Sequence, residues 1–184
     1  MRAFTEFAFS PAVKAAQARY GAREHAVRLE QRDPANDRLN ADLAAFVAQA
    51  DSFFIGTASA DGWPHVQHRG GPRGFVKVLD DRTLAFADYA GNKQYITAGN
   101  LSENDRVFLF FIDYERGRRL KIWGHARVID DDPALLEHVR DPDYPAKVER
   151  IIRVDILAFD LNCRQHFPDW VRASTVRRSP PPSL

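Results

Sequence analysis

Cysteine is nearly absent from this chain of 184 residues, where Cys163 stands alone. Without a second thiol there is no internal disulfide and no Cys-x-x-Cys metal site, and a reducing cytoplasm suits the composition. No apolar run approaches the roughly 18–20 residues of a membrane span. Residues 1–10 lack the long apolar core of a signal peptide. A surplus of charge is missing too: 26 Lys and Arg stand against 25 Asp and Glu. That balance argues against nucleic acid or a membrane surface as a partner. The basic residues Arg177 and Arg178 of the tail are not interleaved with aromatics. His65 and His68, three apart on an expected strand, face opposite sides and cannot readily share a metal. There are no internal repeats.

What is present suits one domain with appendages: 45% hydrophobic and 28% charged residues, over a length that buries a real core. Residues 1–33 read as helical. Ser10-Pro11 caps one segment with proline at the first helical position, Gly21 ends it, and 22–31 forms a charged surface helix. The loop 33–37 carries the next N-cap. Leu39, Leu43, Phe46 and Val47 then mark the core-facing side of a helix over 37–50.

After Asp51 the period shortens to two. Residues 52–59 and 63–68 form a hairpin about Asp61-Gly62, and 75–79 and 83–87 form two more strands. A short helix is expected over 92–101. The stretch 105–113, containing Val-Phe-Leu-Phe-Phe-Ile, is too continuously apolar for a strand with one wet face. It should be buried on both sides or meet a partner subunit. Residues 118–129 alternate Leu120, Ile122 and Gly124 against Lys121, Trp123 and His125. Asp132-Pro133 opens a helix ending at Val139, and 148–161 is the last strand, with Ile152, Val154, Ile156 and Ala158 on one side. Six or seven strands in consecutive hairpins suit an antiparallel β-barrel with peripheral helices. The expected division is a helical extension over 1–36, the barrel over 37–173 and a loose tail over 174–184.

The most informative stretch is Val66-Gln67-His68-Arg69-Gly70-Gly71-Pro72-Arg73-Gly74-Phe75-Val76-Lys77-Val78. Its glycines and arginines bring bare backbone and guanidinium groups close to an anionic ligand. Gly70, Gly71 and Gly74 equally suit a bulge or a barrel corner. Arg69 and Lys93 are either surface cations or phosphate ligands. His125 either lines a groove or is an exposed strand residue. Cys163 reads as core. Trp123 with Phe108, Phe110 and Phe111 reads as packing or dimer contact rather than a base-stacking surface.

The segment from Phe54 to Val66 resembles the opening hairpin of the pyridoxamine 5′-phosphate oxidase-like family of FMN-binding split barrels. Arg69 to Asp80, then Gly91-Asn92-Lys93-Gln94 with Asn100-Leu101 and 107–111, and finally Gly124-His125-Ala126 are similar to three further landmarks in the same order. The resemblance implies a mainly β split barrel that forms a homodimer with FMN at the subunit interface. It also implies flavin contacts from Gln67, His68, Arg69 and Gly70, from Lys77 and Asp88 in the next two strands, and from Arg119. Asn92, Lys93 and Gln94 match the phosphate-binding landmark, where the start of the expected helix can present free N–H groups.

Two features depart from the family pattern. The usual Arg-Lys pair is Lys93-Gln94 here, so one phosphate cation must come from elsewhere, Arg69 or Arg73. The C-terminal Trp…Arg…His-x-Arg signature of true pyridoxamine phosphate oxidases is broken, because no histidine follows Trp170 and Arg172. The function implied is an FMN-dependent oxidoreductase acting on a small molecule, with no obligate catalytic side chain. The alternative is a non-catalytic flavin- or haem-binding stress or sensor protein on the same barrel.

Overall fold

A computed structural model describes residues 3–32, 36–162 and 166–168. Cys163, the segment 169–173 and the tail 174–184 lie outside the described residues. Seven strands form one antiparallel sheet: β1 (Ser52–Ala58), β2 (Pro64–Gly70), β3 (Val76–Asp80), β4 (Thr83–Tyr89), β5 (Arg106–Asp113), β6 (Arg118–Ile129) and β7 (Val148–Asn162). Their order is β2-β1-β5-β6-β7-β4-β3. β1 and β4 lie four places apart in that order, yet the rings of Phe53 and Phe86 meet edge-on at 5.1 Å. Phe53 also stacks on Phe111 at 4.9 Å and on Phe75 at 5.8 Å. The sheet therefore curls on itself around one core that includes Ile55, Leu109, Ile122, Ile152 and Val154. β2 and β3 remain terminal strands, so the barrel is split between them.

Helices close the ends and cover the outside. α1 (Phe4–Ala8), α2 (Pro11–Arg19) and α3 (Arg23–Arg32) precede the barrel. Ser10 Oγ accepts the amide of Val13 at 3.3 Å, and Gly21 ends α2 with a φ of 72°. α2 and α3 are joined by Glu30, which pairs with Arg23 at 2.9 Å and Lys14 at 3.2 Å. The helix expected over 37–50 is shorter: α4 spans Ala41–Ala48, and its cap is Asn40, whose side chain accepts the Leu43 amide at 2.9 Å. Leu39 is buried without being helical. Its amide is drawn onto the carbonyl of Asp81 at 2.7 Å, while buried Asp37 pairs with Arg82. Leu43 and Val47 of α4 enter the core.

The turn residues do what their chemistry demands. Gly74 has a φ of 82°, and a Cβ there would sit 2.9 Å from the Ala48 carbonyl, so this glycine serves the barrel corner. Asp132 caps α6 (Pro133–Val139) by accepting the Leu135 amide at 2.9 Å. β4, not β5, is the strand buried on both faces: Leu84 and Phe86 face the core, while Ala85 and Ala87 lie in a small cluster with Val139 of α6. On β5, Phe108 and Phe110 are only half-buried. Phe108 meets Trp123 edge-on at 5.1 Å, and Phe4 of α1 lies over Trp123 at 6.0 Å.

One expected alignment fails on β7. Trp123 pairs with Ala158 but Gly124 pairs with Ile156, so Leu157 is an extra residue in the ladder. Past this bulge Phe159 faces the core with Ile122, and Ala158 stands opposite Trp123 on the outer side. The Asp155 carbonyl comes so close that a Cβ at Gly124 would meet it at 2.6 Å. Gly124→Ala should therefore lower stability by about 1–3 kcal/mol in urea denaturation, the usual cost of overpacking against rigid backbone. Gly99→Ala, with open space around it in α5 (Ile96–Glu103), should instead gain up to about 1 kcal/mol from helix propensity.

Candidate functional site

A cleft of about 350 Å³ opens where β2 approaches the ends of β4 and β7 across the split. Eight of the ten residues expected to contact a flavin border it: Gln67, His68, Arg69, Gly70, Asp88, Asn92, Lys93 and Gln94. Strand alternation divides the first four. Gln67 and Arg69 are on the half-buried side of β2, whereas the exposed His68 sets its ring edge-on against Phe54 at 5.5 Å.

The remaining two lie elsewhere in the chain. Lys77 donates its Nζ to the Gly74 carbonyl at 2.9 Å, beside α4 rather than in the cleft. Arg119, on β6, pairs in register with Ile112 and Asn162, and its guanidinium lies 4.9 Å from the Phe167 ring centre. Arg73 lines a different cleft, so of the two arginines after the first hairpin it is Arg69 that faces this one. His125 is outside the cleft and sits 2.8 Å from Asp105.

Asp88 is the centre of the site's electrostatics. Its side chain is only 6% exposed. One carboxylate oxygen accepts from Arg69 and the other from Arg150 at 2.9 Å. Arg150 also reaches Glu149 at 3.2 Å and lies over the Tyr95 ring at 4.8 Å. Burial disfavours the Arg150 charge, but the Asp88 carboxylate and the bonds to Asp88 and Tyr95 outweigh it and hold the guanidinium above its ordinary pKa. Arg150 and Glu149 are consecutive, yet both line the cleft, because the β4–β7 ladder is bulged there: Asp88 pairs with Arg150 and Tyr89 with Val148. Composition gives no hint of this. The signal that would have found Arg150 is its cross-strand register with Asp88.

The helix expected from residue 92 begins later. Asn92 accepts the Gln94 amide on its own side chain at 3.1 Å, a local turn that competes with helix. Lys93 and Tyr95 take left-handed φ values of 60° and 53°, and α5 starts only at Ile96. Asn92 and Lys93 therefore do not offer helix-terminal amides. The first turn of α5, Ile96 to Ala98, does reach the cleft, and its Tyr95 cap provides no side-chain bond. Helix N-termini attract anions through those unsatisfied amides and the helix dipole. Lys93 stands exposed on the rim.

Two residues that line this cleft carry a buried polar atom with no hydrogen-bond partner among the described residues, Arg69 at Nε and Tyr89 at Oη. Burial also raises the Tyr89 phenol above its usual pKa, so it stays protonated and able to donate. Orphaned buried donors are costly, and a ligand oxygen beside them would relieve that cost. The donor set fits the phosphate and polar edge of a flavin nucleotide.

Comparison with known proteins agrees with the architecture. The sequence model described as pyridoxamine 5′-phosphate oxidase matches residues 39–160. The chain belongs to the pyridoxamine 5′-phosphate oxidase-like family. No curated protein matches the chain. Among solved structures it is similar to a candidate pyridoxamine 5′-phosphate oxidase of Lactobacillus delbrueckii, with 19% identity, 67% of this chain and 94% of that one covered, and a TM-score of 0.51. It is also similar to HupZ of Group A Streptococcus, with 12% identity, 66% of this chain and 91% of that one covered, and a TM-score of 0.50. At these identities the likeness shows the shared split-barrel fold.

Removing the Asp88 carboxylate leaves two guanidinium groups facing each other with little solvent. Asp88→Ala should cost about 3–5 kcal/mol in denaturant unfolding, as expected when one partner of a buried pair is lost. The double variant Asp88→Ala with Arg150→Met should recover part of that loss, a positive coupling in a double-mutant cycle.

Proposed function

We propose that the chain is an FMN-binding oxidoreductase acting as a homodimer on a small-molecule substrate in a reducing cytoplasm. The observation that carries this reading is the convergence on one cleft of Arg69, Arg150, Lys93 and the first turn of α5, with Arg69 Nε left unpartnered. When bound, the flavin supplies hydride or electron transfer, chemistry that side chains lack. The residues of the chain bind, orient and shield it. Arg150 supplies the second phosphate cation that Gln94 does not, and Lys93 adds an exposed charge at the rim. Gln67 and the unpaired edge of β2 offer donors and acceptors to the rim of a planar ring. Asp88 does not meet the phosphate; it fixes the two arginines in place.

A cleft of about 350 Å³ is at the small end of ligand sites, so one chain would leave part of a flavin uncovered. The outer sheet face carries Phe54 at 36% exposure beside half-buried Phe108 and Phe110. Such a surface suits a second copy, which would complete the enclosure and exclude water. Pyridoxine or pyridoxamine phosphate is not the substrate of this reading, because the C-terminal histidine signature is missing.

Purified protein should take up FMN, turn yellow, elute as a dimer and be bleached by a reduced nicotinamide. Arg69→Ala, Lys93→Ala and Arg150→Ala should each weaken FMN binding by about ten- to hundredfold, or about 1.5–3 kcal/mol per charged contact. Riboflavin, which has no phosphate, should be unaffected by Lys93→Ala and Arg150→Ala. A yellow protein that no donor bleaches would support a non-catalytic flavin-binding module. A colourless protein that takes up no FMN would rule out both.

A further inference from the structure

A second cleft, of about 600 Å³, opens between α4, the first residues of β1 and the β5–β6 turn, and it shares no lining residue with the Arg69 cleft. Its volume falls within the roughly 300–1,000 Å³ typical of small-molecule sites. Its wall is aromatic. Phe53 and Phe111 belong to the core and form the floor, while Phe46 and Phe54 stand partly in solvent. The guanidinium of Arg118 lies over the Phe46 ring at 5.2 Å. A guanidinium stacked by its face keeps its N–H edge available, and that planar edge matches a carboxylate in two parallel hydrogen bonds.

Charge on this cleft is unevenly matched. Asp113 is already satisfied by Arg116, whose amide and guanidinium donate to it at 2.9 Å and 3.0 Å. Burial pushes the Asp113 carboxyl up, but those bonds and the Arg116 charge outweigh it and hold it below the usual range. Asp51 and Glu115 have interactions of their own. Asp42 sits in the first turn of α4, where the helix dipole favours a negative charge. Arg73 and Arg118 face the cleft with no carboxylate partner among the described residues. The cleft thus combines a ring-lined wall with a polar rim on which Arg73 and Arg118 have no carboxylate partner among the described residues.

We infer that this second cleft binds a planar aromatic carboxylate, its ring against Phe46 and Phe54 and its carboxylate on Arg118 and Arg73. The site draws on none of the residues that line the Arg69 cleft, and it shares only Phe54 with the face proposed to meet a second copy. The test uses the full-length protein and 2-naphthoate, with 2-naphthamide as the uncharged match, titrated by calorimetry with and without FMN. The acid should bind about tenfold or more tightly than the amide. Arg118→Met and Arg73→Met should each reduce acid affinity to that of the amide, and FMN should leave it unchanged. Equal affinity for acid and amide, binding of neither, displacement by FMN, or indifference to both substitutions would overturn the proposal. Arg73 is exposed, so Arg73→Met keeps the test decisive if Arg118→Met fails to fold.

Discussion

Along the split the barrel is held by charge rather than by a backbone ladder. β2 and β3 end the sheet without pairing to each other, and Arg69 reaches from β2 across the gap to Asp88 on β4. Asp88 is buried, and Arg150 from the neighbouring β7 takes its second oxygen. A buried ion pair is seldom a net gain over apolar packing, so its value lies in geometry. One carboxylate fixes two guanidinium groups from strands far apart in sequence. The same pairing that spans the gap sets two guanidinium groups on the wall of the cleft.

The rim of that cleft obeys a second constraint. Helix α5 cannot begin where composition suggests, because Asn92 satisfies the Gln94 amide locally and two left-handed residues follow. The delay brings the uncapped first turn of α5 to the cleft wall and leaves Lys93 out on a turn. The fixed dipoles of the helix and the exposed cation are thereby separated.

Local signals are readable directly from the residues: the Asp61-Gly62 turn, the Ser10 cap, the alternation of Leu120, Ile122 and Gly124, and the Asp132-Pro133 helix start. Each depends on neighbours within a few positions. The family landmarks bring most of the cleft residues into view together, including Asp88 and Lys93. What stays hidden depends on register. Nothing near Arg150 in the chain marks it as a partner of Asp88, and that pairing is set by the cross-strand register. Leu39 is a similar case: its spacing fits a helical stripe, but a tertiary bond to Asp81 holds it outside the helix. Lys77 and Arg73 are close to the cleft residues in sequence, whereas a barrel corner turns both away from the cleft.

The surplus residue at Leu157 has an effect beyond its immediate neighbours. β7 behaves as two short strands spliced out of phase, with Ile152, Val154 and Ile156 inward before the splice and Phe159 inward after it. The number of residues between Ile156 and Phe159 is therefore a discrete parameter of the fold. Exchanging the Leu157 side chain alters little of this arrangement. Deleting the position would leave Ile156, Ala158 and Phe159 alternating in, out and in against Gly124, Trp123 and Ile122, so the ladder would run straight with Phe159 still in the core and the local bend of the strand lost.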